Sequence, residues 1–375
     1  AIALAAGGAE VQVVTSRQRY DDATASLAPR EQIDGVEVHR VWTSRFGRGN
    51  LLGRALDYLS FYAAASAKLF GLARAGDVVA ATTDPPLVSV VAGWVARVRG
   101  ARLVNWLQDL YPEVAVNLGM APARGPGGWL LRRLRDGSLR HAAANVVLGQ
   151  LMRERVVARG VDPKKVVVIP NWADGALLRP MEGDANPLRA EWGLEDRFVI
   201  GYSGNLGRVH EFRTVLDAAE ALRAQADIVF LFIGGGAQKV TLRTAAQERG
   251  LSNILFKPYQ PRESLGQSLG AADVHLVTLR PELEGLVVPS KFYGVAAVGR
   301  PTIFIGDPEG EIGSVVREAQ CGLCVKQGDG EGLAQAITAL RDDSALRERM
   351  GANARRVFEE RYDRAIAVGQ WRRLL

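Results

Sequence analysis

Residues 273–326, DVHLVTLRPELEGLVVPSKFYGVAAVGRPTIFIGDPEGEIGSVVREAQCGLCVK, spell out strand, loop, helix, strand, loop, helix, strand. The runs DVHLVTL, PTIFIG and GLCVK are apolar on both faces, and such strands belong in parallel sheets covered by helices. The rhythm extends in both directions. Before it lie FVIGYSG (198–204), ADIVFLFIG (226–234) and NILFKP (253–258). The first half carries VQVVT (11–15), VEVHRV (36–41), DVVAAT (77–82), ARLVNWL (101–107), ANVVLG (144–149) and VVVIP (166–170), with helical stretches at 51–74 and 87–99. Two such series predict an α/β protein of two doubly wound, Rossmann-like domains facing a central cleft. A length of 375 residues suits two cores.

The seam is expected at 174–187, where the surrounding ADGALLRPMEGDANP is rich in Gly, Pro and Asp. That gives an N-terminal domain over 1–173, a C-terminal domain over 187–355 and a helical segment over 356–375. The start is anomalous. A doubly wound domain opens with a strand, a glycine-containing loop and a helix, whereas AIALAAGG at Ala1 reads as the end of that helix. The N-terminal domain is therefore expected to lack its first strand and to carry a gap in its sheet.

Composition excludes several classes. With 47% hydrophobic and 23% charged residues the chain is an ordinary folded protein. Its net charge of +6 is modest, and the basic residues are spread along the chain rather than clustered with aromatics, which argues against nucleic acid as a partner. Cys321 and Cys324 are too few for a disulfide framework, so a cytoplasmic location is the default. Their C-x-x-C spacing runs into the strand GLCVK, which favours core packing over redox work. The four histidines, His39, His141, His210 and His275, lack ligand spacing, no Asp-x-Asp motif occurs, and no metal is expected. Gly234–Gly236 lacks a full dinucleotide fingerprint, and no cofactor is expected.

Three glycine-containing turns carry the chemistry. Within 284–301, EGLVVPSKFYGVAAVGRP, Pro289 and Ser290 mark a helix start and Lys291 follows. A lysine there opposes the helix dipole unless an anion sits beside it; alone, it would read as a solvated first-turn lysine. In YSGNLGRVHEF (202–212), Gly204 and Gly207 let the backbone approach a ligand around Asn205, and Arg208 offers a planar phosphate donor. A tight strand-to-helix turn would look the same. In GDPEGEIG (306–313), Gly310 exposes backbone N–H groups and Glu311 could accept hydroxyl hydrogen bonds. Three such turns at one sheet edge, two with a cation, favour a diphosphate site.

The set YSGNLGR, PYQPRESL, AADVHLV, EGLVVPSKFYGVAAVGRP and GDPEGEIG resembles the retaining family 4 glycosyltransferases of the GT-B fold, and NWLQDLYPEVAVNLGM and VVVIPNWAD extend the resemblance into the first half. It is nearest to the branch that builds bacterial exopolysaccharide, O-antigen and capsule. The resemblance implies metal-independent hexosyl or N-acetylhexosaminyl transfer from a nucleoside diphosphate sugar, UDP-linked by default, to a lipid-linked saccharide. It implies that Arg208 and Lys291 bind the donor diphosphate with Ser290 beside them, that Glu284 contacts the donor sugar, and that the Lys257–Arg262 segment, with Tyr259 and Gln260, flanks the base. Many relatives carry a second glutamate for the ribose; FYGVAAVG has none, and Glu311 is the candidate substitute. An epimerase of the same architecture and a non-catalytic nucleotide-sugar binder remain as alternatives.

On the acceptor side, Asp109 and Glu113 follow a strand and are expected to face the cleft, positioning the acceptor or assisting its hydroxyl proton. Asp109 could equally cap the next segment, with Pro112 starting a helix. Asn171 could line the cleft, though capping a turn is the plainer role. The basic amphipathic stretches at 51–74 and 129–140 suit a peripheral position on the inner face of a membrane, or ordinary half-buried helices.

Overall fold

The computed structural model describes residues 1–18, 27–46, 51–120, 125–181 and 186–375. Its second half is a six-stranded sheet of β8 (Phe198–Ser203), β9 (Ile228–Ile233), β10 (Ile254–Lys257), β11 (Val274–Thr278), β12 (Thr302–Ile305) and β13 (Gly322–Val325). The spatial order is β10-β9-β8-β11-β12-β13, every pair parallel. All residues of β11 and β12 are buried, as two helical layers over one sheet require. The order reverses between β8 and β11, and the crevice beyond their carboxyl ends is where doubly wound folds bind ligands.

The first half contains β1 (Val11–Ser16), β2 (Arg30–Ile33), β3 (Val36–Val41), β4 (Val78–Ala81), β5 (Arg102–Trp106), β6 (Ala144–Val147) and β7 (Val166–Val168). β4-β5-β6-β7 form a parallel sheet and β1-β3-β2 a separate mixed one, with no pairing between the two among the described residues. β1 follows a short helix, Ile2–Ala5. β2 lies outside the sequence reading. It is antiparallel to β3 and exposed at all four positions, so no apolar pattern marks it.

Part of the expected seam, residues 182–185, lies outside the described residues. The boundary expected at 355/356 falls inside the Ser344–Arg361 helix; the break comes at Asp363, whose carboxylate caps the helix Arg364–Leu374 through Ala365 N at 2.8 Å. That last helix returns to the first half, where Trp371 packs edge-on against Trp106 at 5.2 Å and Trp172 stacks on the same ring at 5.6 Å. Leu107, Leu110 and Val114 share one apolar cluster with Leu283, Leu286, Val287 and Phe292. The two halves thus meet through buried hydrocarbon as well as through loops.

Candidate active site

β8 ends at Ser203, and the chain turns at Gly204 with φ of 123°, a left-handed conformation that favours glycine. Gln238 pins the following loop by donating its amide to the carbonyls of Gly207 at 2.6 Å and His210 at 3.0 Å. Tyr202 donates its hydroxyl to Asn205 O at 3.0 Å. The glycines at 234–236 now have a reason. A side chain at Gly234 would strike the Gly204 carbonyl, and one at Gly236 would strike Asn205 Oδ1. They let two loops pack face to face.

Lys291 opens the helix Lys291–Ala297 and points back at this loop. Its Nζ lies 2.8 Å from His210 Nε2 and 5.1 Å from the centre of the Tyr202 ring. A side chain at Gly204 would come within 3.1 Å of Lys291 Cε, so the glycine also clears the path of the lysine stem. Burial lowers the Lys291 pKa to about 8. Burial and the neighbouring lysine lower His210 to about 3. Arg208 is exposed at the lip of the same loop.

Glu284 sits one loop away, 7% exposed. Its Oε2 accepts from Glu311 N at 3.3 Å, at the first turn of the helix Glu311–Glu318. Gly310 is bare because that carboxylate occupies the space a Cβ would need. Burial, with Asp307 and Glu311 nearby, pushes Glu284 up to about 7. Its Oε1 is buried without a hydrogen-bond partner. A buried acceptor left open inside a crevice is a place for a ligand hydroxyl.

Models of two known families match most of the chain: "Glycosyl transferase 4-like domain" over residues 1–172 and "Glycosyl transferases group 1" over residues 184–357. The chain belongs to the family 4 glycosyltransferases of the GT-B fold. It is 30% identical over 264 residues to WcaI of Escherichia coli (strain K12), named as a colanic acid biosynthesis glycosyl transferase. That match spans 68% of this chain and 64% of the relative's length. It is 28% identical to WbjE of Pseudomonas aeruginosa, named as a glycosyltransferase, over 92% of this chain and 86% of that one. In fold it is similar to Anabaena HepE, solved with UDP and glucose, with a TM-score of 0.70 at 18% identity over 91% of this chain and 86% of that one.

Within this glycosyltransferase the structure brings Gly204, Asn205, Gly207, Arg208, Glu284, Ser290, Lys291 and Gly310 to the crevice edge. Ser290 is exposed and makes no side-chain cap. Tyr259 is 59% exposed, with its hydroxyl 3.4 Å from Gly235 O, and Gln260 donates to Pro258 O at 3.1 Å.

Three expectations need correction. Glu311 is not a free hydroxyl acceptor. Its carboxylate crosses to the other half and accepts from Leu151 N at 3.2 Å, at the N-terminus of the helix Gln150–Val157. The anion meets the positive end of a helix dipole, so the contact explains itself. Glu113 does not offer its carboxylate to an acceptor. Arg135 takes it in a fork at 2.7 and 2.9 Å, and Arg159 adds a third contact at 2.8 Å. Burial alone would raise its pKa, but the Arg135 guanidinium holds it below the usual carboxylate range. Asn171 caps no turn among the described residues; Asp174 does, accepting from Ala176 N at 3.1 Å.

Asp109 keeps the functional reading open and loses the structural one. The helix Glu113–Asn117 has no side-chain cap at its start. The Asp109 backbone instead bridges to Val287 of the other half, and Leu110 N donates to Leu286 O at 2.9 Å. Burial, then the charge on Asp84, pushes the Asp109 carboxyl up to about 6. Both cysteines behave as core. Cys321 is buried, Cys324 lies in β13, and burial raises their thiols to about 12 and about 11.

His210 is the residue that sequence reasoning passed over. In the sequence it stands only as one of four scattered histidines without ligand spacing. The usable signal was its place, two residues after Arg208 in a turn already assigned to an anion.

Proposed function

We propose that this enzyme moves a hexosyl or N-acetylhexosaminyl unit, with retention and without a metal, from a UDP-linked donor to a hydroxyl of a lipid-linked saccharide in cell-surface polysaccharide biosynthesis. The observation that carries the reading is the presence, in loops at the switch point, of a half-buried ammonium on Lys291 and the open Oε1 of Glu284. HepE, with UDP and glucose bound in a similar fold, and WcaI, with its polysaccharide-directed name, support the donor and product classes.

The hard step is departure of the diphosphate, because negative charge grows on it as the glycosidic bond breaks. Lys291 and Arg208 oppose that charge, and the N–H groups at the start of the Lys291–Ala297 helix add to them. Glu284 Oε1 accepts from a donor-sugar hydroxyl and fixes the ring. The acceptor oxygen then attacks from the face the diphosphate leaves, and a phosphate oxygen takes its proton. Asp109 holds the acceptor hydroxyl from the opposite half. The helix carrying FYGVAAVG has no acid, and a Cβ at Gly294 would meet only Leu269 and Leu178, so the ribose contact comes from outside that helix.

A peripheral contact with the inner face of the membrane fits a lipid-linked acceptor. No helix among the described residues is long and apolar enough to cross a membrane. The catalytic reading is tested by Lys291→Ala. Turnover, read as UDP release dependent on acceptor, should fall roughly 10²–10³-fold. Turnover at the wild-type rate would sink the assignment.

A further inference from the structure

The Lys291 ammonium stands between two groups that the reaction scheme leaves idle. On one side is the face of Tyr202, 5.1 Å away. On the other is His210, whose ring also meets Tyr202 edge-on at 5.8 Å. The His210 tautomer follows from its partners. Nδ1 lies 2.7 Å from the Thr278 carbonyl, which can only accept, so Nδ1 carries the hydrogen. Nε2 is then a bare lone pair, and at 2.8 Å from Lys291 Nζ it can only accept. The ring cannot turn over without losing both bonds, because it is buried against Tyr202 and Phe212.

We propose that His210 is a positioning residue for Lys291, accepting one ammonium hydrogen so that the remaining two face the departing diphosphate before the donor arrives. This rests on the reading of Lys291 as the diphosphate contact. A free lysine stem has many rotamers, and a reaction gains when that freedom is removed in advance. Two features remove it here, the histidine lone pair and the tyrosine face, and the bare Gly204 leaves room for the stem they hold. The dyad also keeps its charges apart. His210 stays neutral well below physiological pH, so it never competes with Lys291 for the role of cation.

The test uses two variants and two readouts. His210→Gln keeps an acceptor for Lys291 and a donor for Thr278; His210→Phe keeps the ring and removes both. Turnover of His210→Phe should fall roughly 10²-fold while the donor KM changes by less than about threefold, and His210→Gln should stay within about threefold of wild type. The second readout needs no substrate. In protein labelled with 13Cε-lysine, the Lys291 signal, assigned through Lys291→Arg, is titrated with pH. Losing a bond to its charged form should move the Lys291 titration down by about one pH unit in His210→Phe and leave it in place in His210→Gln. If His210→Phe unfolds, His210→Leu takes its place in both measurements. An unmoved Lys291 titration, or equal turnover losses in both variants, overturns the proposal. A Lys291 signal that responds to His210→Phe but not to added UDP leaves the dyad standing and overturns the diphosphate reading instead.

Discussion

Glu284 is held in a state that disfavours its own charge. Burial puts its pKa near 7, well above that of an exposed glutamate. The folded protein therefore binds this proton more tightly than the unfolded chain does. Stability from this group is fully present below the unfolded value near 4.5 and is lost as pH rises through 7, on the order of 3 kcal/mol in all. Glu284→Gln removes the charge and should flatten that loss, so the variant gains in melting temperature over the wild type at pH 8. Its turnover should fall, because an amide is a weaker acceptor for the sugar hydroxyl; a bond to a charged group corresponds to roughly 10- to 100-fold. Thermal unfolding at pH 5 and pH 8 with parallel turnover checks both halves. Parallel melting profiles would show that the carboxyl is not desolvated. At this scale the sequence was informative about residue type and silent about neighbours. Lys291 and Glu284 stand out through the resemblance, since a lysine in a helix's first turn reads on its own as a solvated side chain. The arginine fork on Glu113 was not, since Arg135 lies in a separate helix, Gly125–His141.

Elements show where the legible part ends. Strands apolar on both faces, such as β11 and β12, could be read directly because a parallel sheet admits little else. β2 could not, although its turn was written down: Asp34 and Gly35 take φ of 47° and 81°, the signature of a two-residue hairpin. The helix Gln150–Val157 is the sharper case. Its N-cap, Gly149, has extended backbone that any residue adopts, so conformation does not demand glycine. Glu311 does, because its carboxylate fills the space of a Cβ there. Gly149→Ala should therefore cost about 1–3 kcal/mol through overpacking. Glu311→Ala should cost about 1 kcal/mol through the lost helix cap. The double variant should cost less than their sum, because the clash disappears with its partner. A coupling of about 1 kcal/mol in a urea-unfolding double-mutant cycle is the expected result. Strict additivity would mean the two halves do not touch at this helix.

The whole molecule presents one face that packing does not explain. In the helix Leu51–Leu72, Leu52, Leu56 and Leu59 are 80%, 48% and 61% exposed, a single stripe at helical spacing turned to solvent. Neighbouring helices add Trp94 and Trp129, 61% and 57% exposed, the second with Arg133 stacked over its ring at 5.6 Å. The sequence could not separate this face from ordinary half-buried helices, because periodicity gives a stripe and leaves its direction open. With the direction known, an outward apolar stripe, with Arg133 over the exposed Trp129 on a nearby helix, fits the interface of an anionic bilayer. Each arginine near such a surface contributes about 1 kcal/mol, and each inserted tryptophan adds its buried area. The protein should sediment with vesicles containing phosphatidylglycerol and release partly at high salt, where screening removes the electrostatic share but not the apolar one. Trp94→Ser with Trp129→Ser should weaken vesicle binding on the order of 10-fold or more and leave UDP binding unchanged, since both residues lie in the half of the molecule that does not build the donor crevice. Wild-type protein that stays in the supernatant at low salt would remove the membrane from the proposal. The lipid-linked acceptor would then have to reach the cleft without the enzyme docking beside it.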